Sequence, residues 1–118
     1  MALFEFVEWL LHWLYEADDF QFQWNLGNAA KNVLKHGVQV HEIEEGFYSG
    51  SALPLGVQTR PHHSEQRLGV IGTTFKGRFL QVVFALRGGA VRPISARTAN
   101  KKERKQYEEL LRKIQKRI

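Results

Sequence analysis

Arg67, Arg78, Arg87, Arg92 and Arg97 fall in or beside three apolar runs in the second half of this 118-residue chain. A guanidinium is planar, permanently charged and carries a fork of N–H donors, which suits it to phosphate oxygens. Cleaving RNA without a metal asks for three functions. A base takes the 2′-OH proton, cations stabilise the phosphorane, and an acid protonates the leaving oxygen. Arginine fits the second, and His36, His63, Glu65 and Tyr107 are the candidates for the other two. Side chains on a strand alternate between faces. Arg92 and Arg97 therefore point apart unless a twist, a bulge at Pro93 or the strand end reorients one of them. Each residue also has an ordinary structural use. A rim arginine is commonly a solvated charge, Tyr107 sits in an amphipathic run that suits a core, and a histidine before Gly37 can meet the last carbonyls of a helix.

The charge is divided along the chain. Residues 60–118 carry 15 Lys and Arg against 4 Asp and Glu, whereas residues 1–59 carry 2 against 8. A basic surface attracts polyanions, so nucleic acid is the first partner to consider, ahead of a membrane surface or an acidic protein. With no cysteine there is no disulfide, no thiolate metal site and no cysteine nucleophile. Of the five histidines, His62 and His63 are adjacent and would point apart on a strand, so the pattern calls for no metal or other cofactor.

The elements that must position these groups read as α+β. Residues 2–15 are strongly apolar, and Glu5, Glu8, His12 and Glu16 recur at helical spacing as one polar stripe. This predicts a helix buried against the domain or a second copy. It is too short to span a bilayer, and its polar stripe is acidic where an interfacial helix is usually basic. Phe20, Phe22 and Trp24 alternate with glutamines, which predicts a strand. Asn25 then caps a helix that Gly37 stops, with Ala29, Ala30, Val33 and Leu34 on one face. A second short helix follows to about Tyr48, then a short strand over residues 52–55. Three strands are predicted over residues 67–73, 79–87 and 90–96, joined by turns at Lys76-Gly77 and Gly88-Gly89. Asn100 and Glu103 form a capping box for a final helix with Tyr107, Leu110, Leu111, Ile114 and Ile118 as its apolar stripe. The resulting layout is a mostly antiparallel sheet packed by two helices of the N-terminal half and a C-terminal helix, with an extra apolar N-terminal helix.

Phe22-Gln23-Trp24, Lys35-His36-Gly37-Val38, Arg67 to Gly72, Gly77-Arg78, Arg87, Arg92-Pro93-Ile94-Ser95-Ala96-Arg97, Glu103-Arg104 and Tyr107 occur in the order of the BrnT toxins, which this chain resembles from about Phe20 to Glu109. The resemblance implies a RelE-like fold and a cytoplasmic, metal-independent endoribonuclease that inhibits translation. It also implies neutralisation by a BrnA-like ribbon-helix-helix antitoxin, in a homodimer or a toxin–antitoxin heterotetramer. DNA would be touched only through the antitoxin, and no membrane is involved. By position it points to Arg67, Arg78, Arg92 and Arg97 as catalytic, with Glu65, His36 and Tyr107 as acid, base or positioning groups. Lys35, Lys76, Arg87 and Lys101 would hold RNA. The chain departs from the family at Asn25, where an Asp is usual, at Tyr48-Ser49-Gly50, where an Asp-Pro pair is usual, and in a shortened loop before Arg67. Residues 1–17 lie outside the resemblance and form a separate apolar helical extension of the toxin domain at 18–118. A non-catalytic module that binds nucleic acid or a protein on the same fold is the alternative.

Overall fold

The computed structural model describes residues 2–116. Five strands form one antiparallel meander in chain order: β1 (Leu3–Glu5), β2 (Leu53–Arg60), β3 (Leu68–Thr73), β4 (Phe79–Arg87) and β5 (Ala90–Thr98). Four helices accompany it: α1 (Glu8–Glu16), α2 (Leu26–His36), α3 (Val40–Tyr48) and α4 (Lys101–Lys116). The α+β expectation stands, and its local signals are where they were placed. Gly88 and Gly89, at φ 59° and 82°, make the two-residue β4–β5 hairpin turn. Asn25 caps α2, Gly37 ends it in the left-handed region, and Asn100 and Glu103 exchange capping bonds ahead of α4. Ile118 of the apolar stripe lies outside the described residues.

Three local expectations are corrected. Residues 2–15 are not one helix: Leu3–Glu5 pairs antiparallel with β2, and only Glu8–Glu16 is helical. Leu3-Phe4-Glu5-Phe6 alternates, so a sheet edge can accept it as a strand even though the acidic stripe continues at helical spacing. The chain at Phe20 to Trp24 is not a strand of the sheet. It makes a single parallel bridge, Phe22 to Val91, with Gln23 N–H donating to Val91 O at 2.8 Å and Val91 N–H to Gln21 O at 2.7 Å. The strand expected at residues 52–55 runs on to Arg60.

The sheet is covered on both faces. On one face, Leu68, Val70, Leu80, Val82, Phe84, Val91 and Ala96 meet Leu10 and Leu14 of α1 and Ile43 and Phe47 of α3. Phe84 is fully buried there, its ring 5.3 Å from Phe47 and 5.9 Å from Trp13. On the other face, Tyr107 and Ile114 of α4 close over Leu53, Leu55 and Ile71. Two glycines admit the N-terminal strand. A Cβ on Gly56, at φ 128°, would stand 1.9 Å from the Glu5 carbonyl oxygen, and one on Gly69 would stand 2.4 Å from the Phe4 ring. Residues 2–17 thus pack into the same core as the rest of the described chain.

The largest correction concerns α2. Of its residues only Asn28 and Asn32 are buried, and it contributes no apolar side chain to either core cluster. Leu26 and Leu34 are 91% and 85% exposed. Of the face shared by Ala29, Ala30, Val33 and Leu34, Ala30 and Leu34 are turned outward and Ala29 and Val33 are only half-buried. The reason lies at the outer edge of β5, whose backbone groups have no sixth strand to pair with. Asn28 donates to Pro93 O at 3.2 Å and to Gln23 O at 3.0 Å, and Asn32 Oδ1 accepts from Ala96 N–H at 2.9 Å. Two asparagines one turn apart do for this edge what a neighbouring strand would do.

Candidate nucleic-acid interface

The β4–β5 register decides where the arginines go. Val83 pairs with Ser95 but Phe84 pairs with Pro93, so Ile94 is an extra, unpaired residue. This is a β-bulge, and it changes the facing of everything beyond it. Arg92 sits opposite Ala85 and Arg97 opposite Gln81, and Ala85 and Gln81 are four residues apart on one strand. Arg92 and Arg97 therefore share a face, by the bulge that the sequence left open.

Arg67 joins them. Continuing the β3–β4 register one residue back from Leu68–Phe84 sets Arg67 opposite Ala85 on the same face. Arg67 and Arg92 flank Ala85 from its two neighbouring strands, roughly 10 Å apart at the backbone. Ala85 is fully buried and too short to separate them. Neither arginine has an ion-pair partner among the described residues. Just beyond this row, Glu65 receives two hydrogen bonds from Arg87, at 2.8 and 2.9 Å. That pairing, reinforced by the fields of Arg67 and Arg92, holds the Glu65 carboxyl below its ordinary value. Glu65 is thus ionised, and as a proton acceptor it is weakened. Beside the row, Val57, Gln58 and the loop from Pro61 to Arg67, including His63, border a concavity of about 210 Å³.

Two rows further along, Arg97 makes a bidentate pair with Glu103 at 2.7 and 2.6 Å. Burial works to raise the Glu103 pKa, but Arg97 and the Asn100 N–H outweigh it and leave it below the usual carboxylate value. Glu103 was read from the sequence only as a cap. It does both jobs, fixing the Arg97 side chain to the first turn of α4, where Lys101 is exposed.

The remaining predicted residues are not in this place. Arg78 precedes β4 and lies roughly 20 Å along the strand from Ala85. It donates to the carbonyls of His36 and Gly37, to Thr98 Oγ1 and, at 3.1 Å, to Glu42. Every arm of that guanidinium is used to tie the C-terminus of α2 to α3 and β5. Burial acts to raise the Glu42 pKa, while the Gln39 N–H and Arg78 bring it below its ordinary value. His36 and Lys35 are exposed at the end of α2, and Lys76 is exposed in the β3–β4 turn. Tyr107 is buried on the inner face of α4, with its hydroxyl donating to Ser51 O at 2.9 Å and its ring 5.3 Å from Phe79. Burial pushes its pKa up. The structure therefore brings together Arg67, Arg92, Arg97, Glu65 and Arg87, sets Arg78, His36, Lys35 and Lys76 at the other end, and puts Tyr107 in the core.

Asn28 and Asn32 were missed as residues that support this surface. A signal existed: asparagine is a poor helix former, and two of them one turn apart in an eleven-residue helix must be held by bonds elsewhere. Among the described residues no group of histidines and carboxylates has the arrangement of a metal site, and no helix is long and apolar enough to cross a membrane.

A cationic row on a sheet face, built from strand arginines with a carboxylate and a cavity beside it, has the chemistry that suits a phosphodiester ligand. The sequence model of the BrnT family, described as the ribonuclease toxin of a type II toxin–antitoxin system, matches residues 24–103. That is more than half of the chain, and the protein belongs to this family: it is a ribonuclease toxin whose partners are RNA and an antitoxin. No curated protein matches the sequence. Its fold is similar to that in the 1.1 Å crystal structure of the Brucella abortus ribonuclease toxin, BrnT, with a TM-score of 0.51 and 24% identity over 70% of this chain and 100% of that one.

Proposed function

We propose that the toxin cleaves RNA without a metal on the sheet face that carries Arg67, Arg92 and Arg97, and that this cleavage inhibits translation in the cytoplasm. The observation that carries the reading is the Arg67–Ala85–Arg92 row. It sets two unpaired guanidiniums on either side of a small buried residue, where a phosphate can be held from both sides. Two cations that close on one phosphate stabilise the phosphorane more than the ground state, because additional charge accumulates on the equatorial oxygens in the transition state. Arg97, held by Glu103, takes a neighbouring phosphate, and Arg87 and Lys101 extend the path. Lys35 and Lys76, at the far end, serve longer RNA as a second cationic patch.

Proton transfer falls to the loop beside the row. His63 borders the concavity with Arg67 and Glu65 lies in the field of Arg67 and Arg92, and substrate binding must loosen the Glu65–Arg87 pair before Glu65 can accept a proton. Tyr107, His36 and Arg78 serve the fold in this reading. The RelE-like character, the BrnA-like ribbon-helix-helix antitoxin and a heterotetramer with it belong to the same proposal. So does the division into an extension at 1–17 and a toxin domain at 18–118.

The test is cleavage of a mixed-sequence RNA in EDTA by the purified protein beside Arg67→Ala and Arg92→Ala, with folding checked by circular dichroism. Cleavage that survives chelation and falls by roughly 100-fold or more in either folded variant is expected. Chelation that abolishes cleavage overturns the metal-free mechanism. Parent-like cleavage by both variants removes the row from the reaction. Salt-sensitive RNA binding without cleavage favours the binding-module alternative.

A further inference from the structure

The outward apolar face of α2 is the feature that neither the core nor the arginine surface uses. At 100° per residue, Ala29, Val33, Leu26, Ala30 and Leu34 fill one continuous arc, and the buried Asn28 and Asn32 lie on the opposite side. Leu26, Ala30 and Leu34 are spaced i, i+4, i+8. This is the ridge that seats in the groove of a second helix in the commonest packing class. Isolated exposed leucines need no explanation. Here the leucine ridge of an amphipathic helix faces outward while two of its polar residues are buried, which marks an interaction surface.

We infer that this face of α2 is the docking surface for an acidic amphipathic helix of the antitoxin. Charge selects the occupant. Lys31, exposed and one turn before Leu34, borders the leucine ridge on one side, and His36 ends the helix on the other. Lys31 has no ion pair among the described residues. A second copy of this chain would bring its own Lys31 against the same face, and a helix with acidic residues flanking an apolar ridge satisfies both features at once. α2 is also secured independently of any partner. Its N-cap, its Gly37 stop and its two asparagine anchors hold it to β5, so the surface is preformed.

The inference rests on the reading of the protein as an antitoxin-neutralised ribonuclease, and the experiment separates the two. The full-length toxin, its Leu26→Gln/Leu34→Gln variant and its Lys31→Glu variant are each titrated with the antitoxin encoded beside the toxin, by calorimetry at two salt concentrations. RNA cleavage by each toxin alone is measured in parallel. Both leucines are exposed, so the fold and the cleavage should be unchanged. The leucine variant is expected to bind at least about tenfold more weakly. The lysine variant should bind more weakly and lose salt dependence. Parent-like affinity in both variants overturns the docking surface while leaving the ribonuclease reading intact. Absence of cleavage by the parent toxin counts against that reading while the titration still tests the surface. Sedimentation of the toxin alone closes the set: a dimer that the leucine variant dissolves assigns the face to a second copy and overturns the inference.

Discussion

Asn32 offers the sharpest test of how the arginine surface is held. Its Oδ1 accepts the Ala96 N–H at 2.9 Å, and the residue is 1% exposed. Asn32→Ala leaves that backbone donor buried at the edge of β5 with no partner and no water to replace it. Stranding a buried donor costs about 1–3 kcal/mol. Part of this is returned, because Asn32 Nδ2 is itself buried without a partner and its desolvation penalty goes with it. The net cost should be about 1–2 kcal/mol, which lowers the melting temperature of a chain this size by roughly 4–8 °C. The loss should also be local. Ala96 lies between Ser95 and Arg97, so its amide should exchange faster in hydrogen exchange. RNA cleavage below the melting transition should fall as Arg97 loses its placement. A variant that melts with the parent and keeps the Ala96 amide protected would refute the edge-anchoring argument. Slower cleavage without altered exchange would detach it from the arginines.

Four further outcomes are expected. Arg78→Ala should destabilise the fold by about 2–3 kcal/mol in urea unfolding, because a charged hydrogen-bonding hub is removed, while its remaining folded fraction cleaves RNA at the parent rate. Glu103→Gln should leave the cap but loosen Arg97, and the reduced cleavage should be seen as a lower kcat in single-turnover kinetics. Glu42, Glu65 and Glu103 all have folded pKa values below the ordinary 4.5. Their stabilisation is therefore present above that pH and lost as pH falls through the lower folded values. The urea midpoint should drop in acid, less steeply in Glu103→Gln. Gly56→Ala should displace β1 from β2, since the added Cβ meets the Glu5 backbone, and faster amide exchange at Phe4 and Glu5 is the readout.

What the sequence by itself determined are the features whose cause is local. Gly88-Gly89 forces a two-residue hairpin because only glycine takes both positive φ angles without strain. Asn25, Gly37 and the Asn100–Glu103 pair end helices through bonds to residues a few positions away. The basic second half and the BrnT-like motifs lie in the order of residues alone. Facing across the sheet is not local. Arg92 and Arg97 share a face only because Ile94 is left out of a ladder whose other strand lies ten residues earlier. Arg67 joins them only through the pairing of β3 with β4. The α2 helix follows the same rule in reverse. Its periodicity shows an apolar face, but whether that face turns in or out depends on an unpaired strand edge some 65 residues away, which Asn28 and Asn32 reach and satisfy. Periodicity reports that a helix has two sides; the tertiary structure chooses between them, because a buried backbone group without a partner costs more than an exposed leucine.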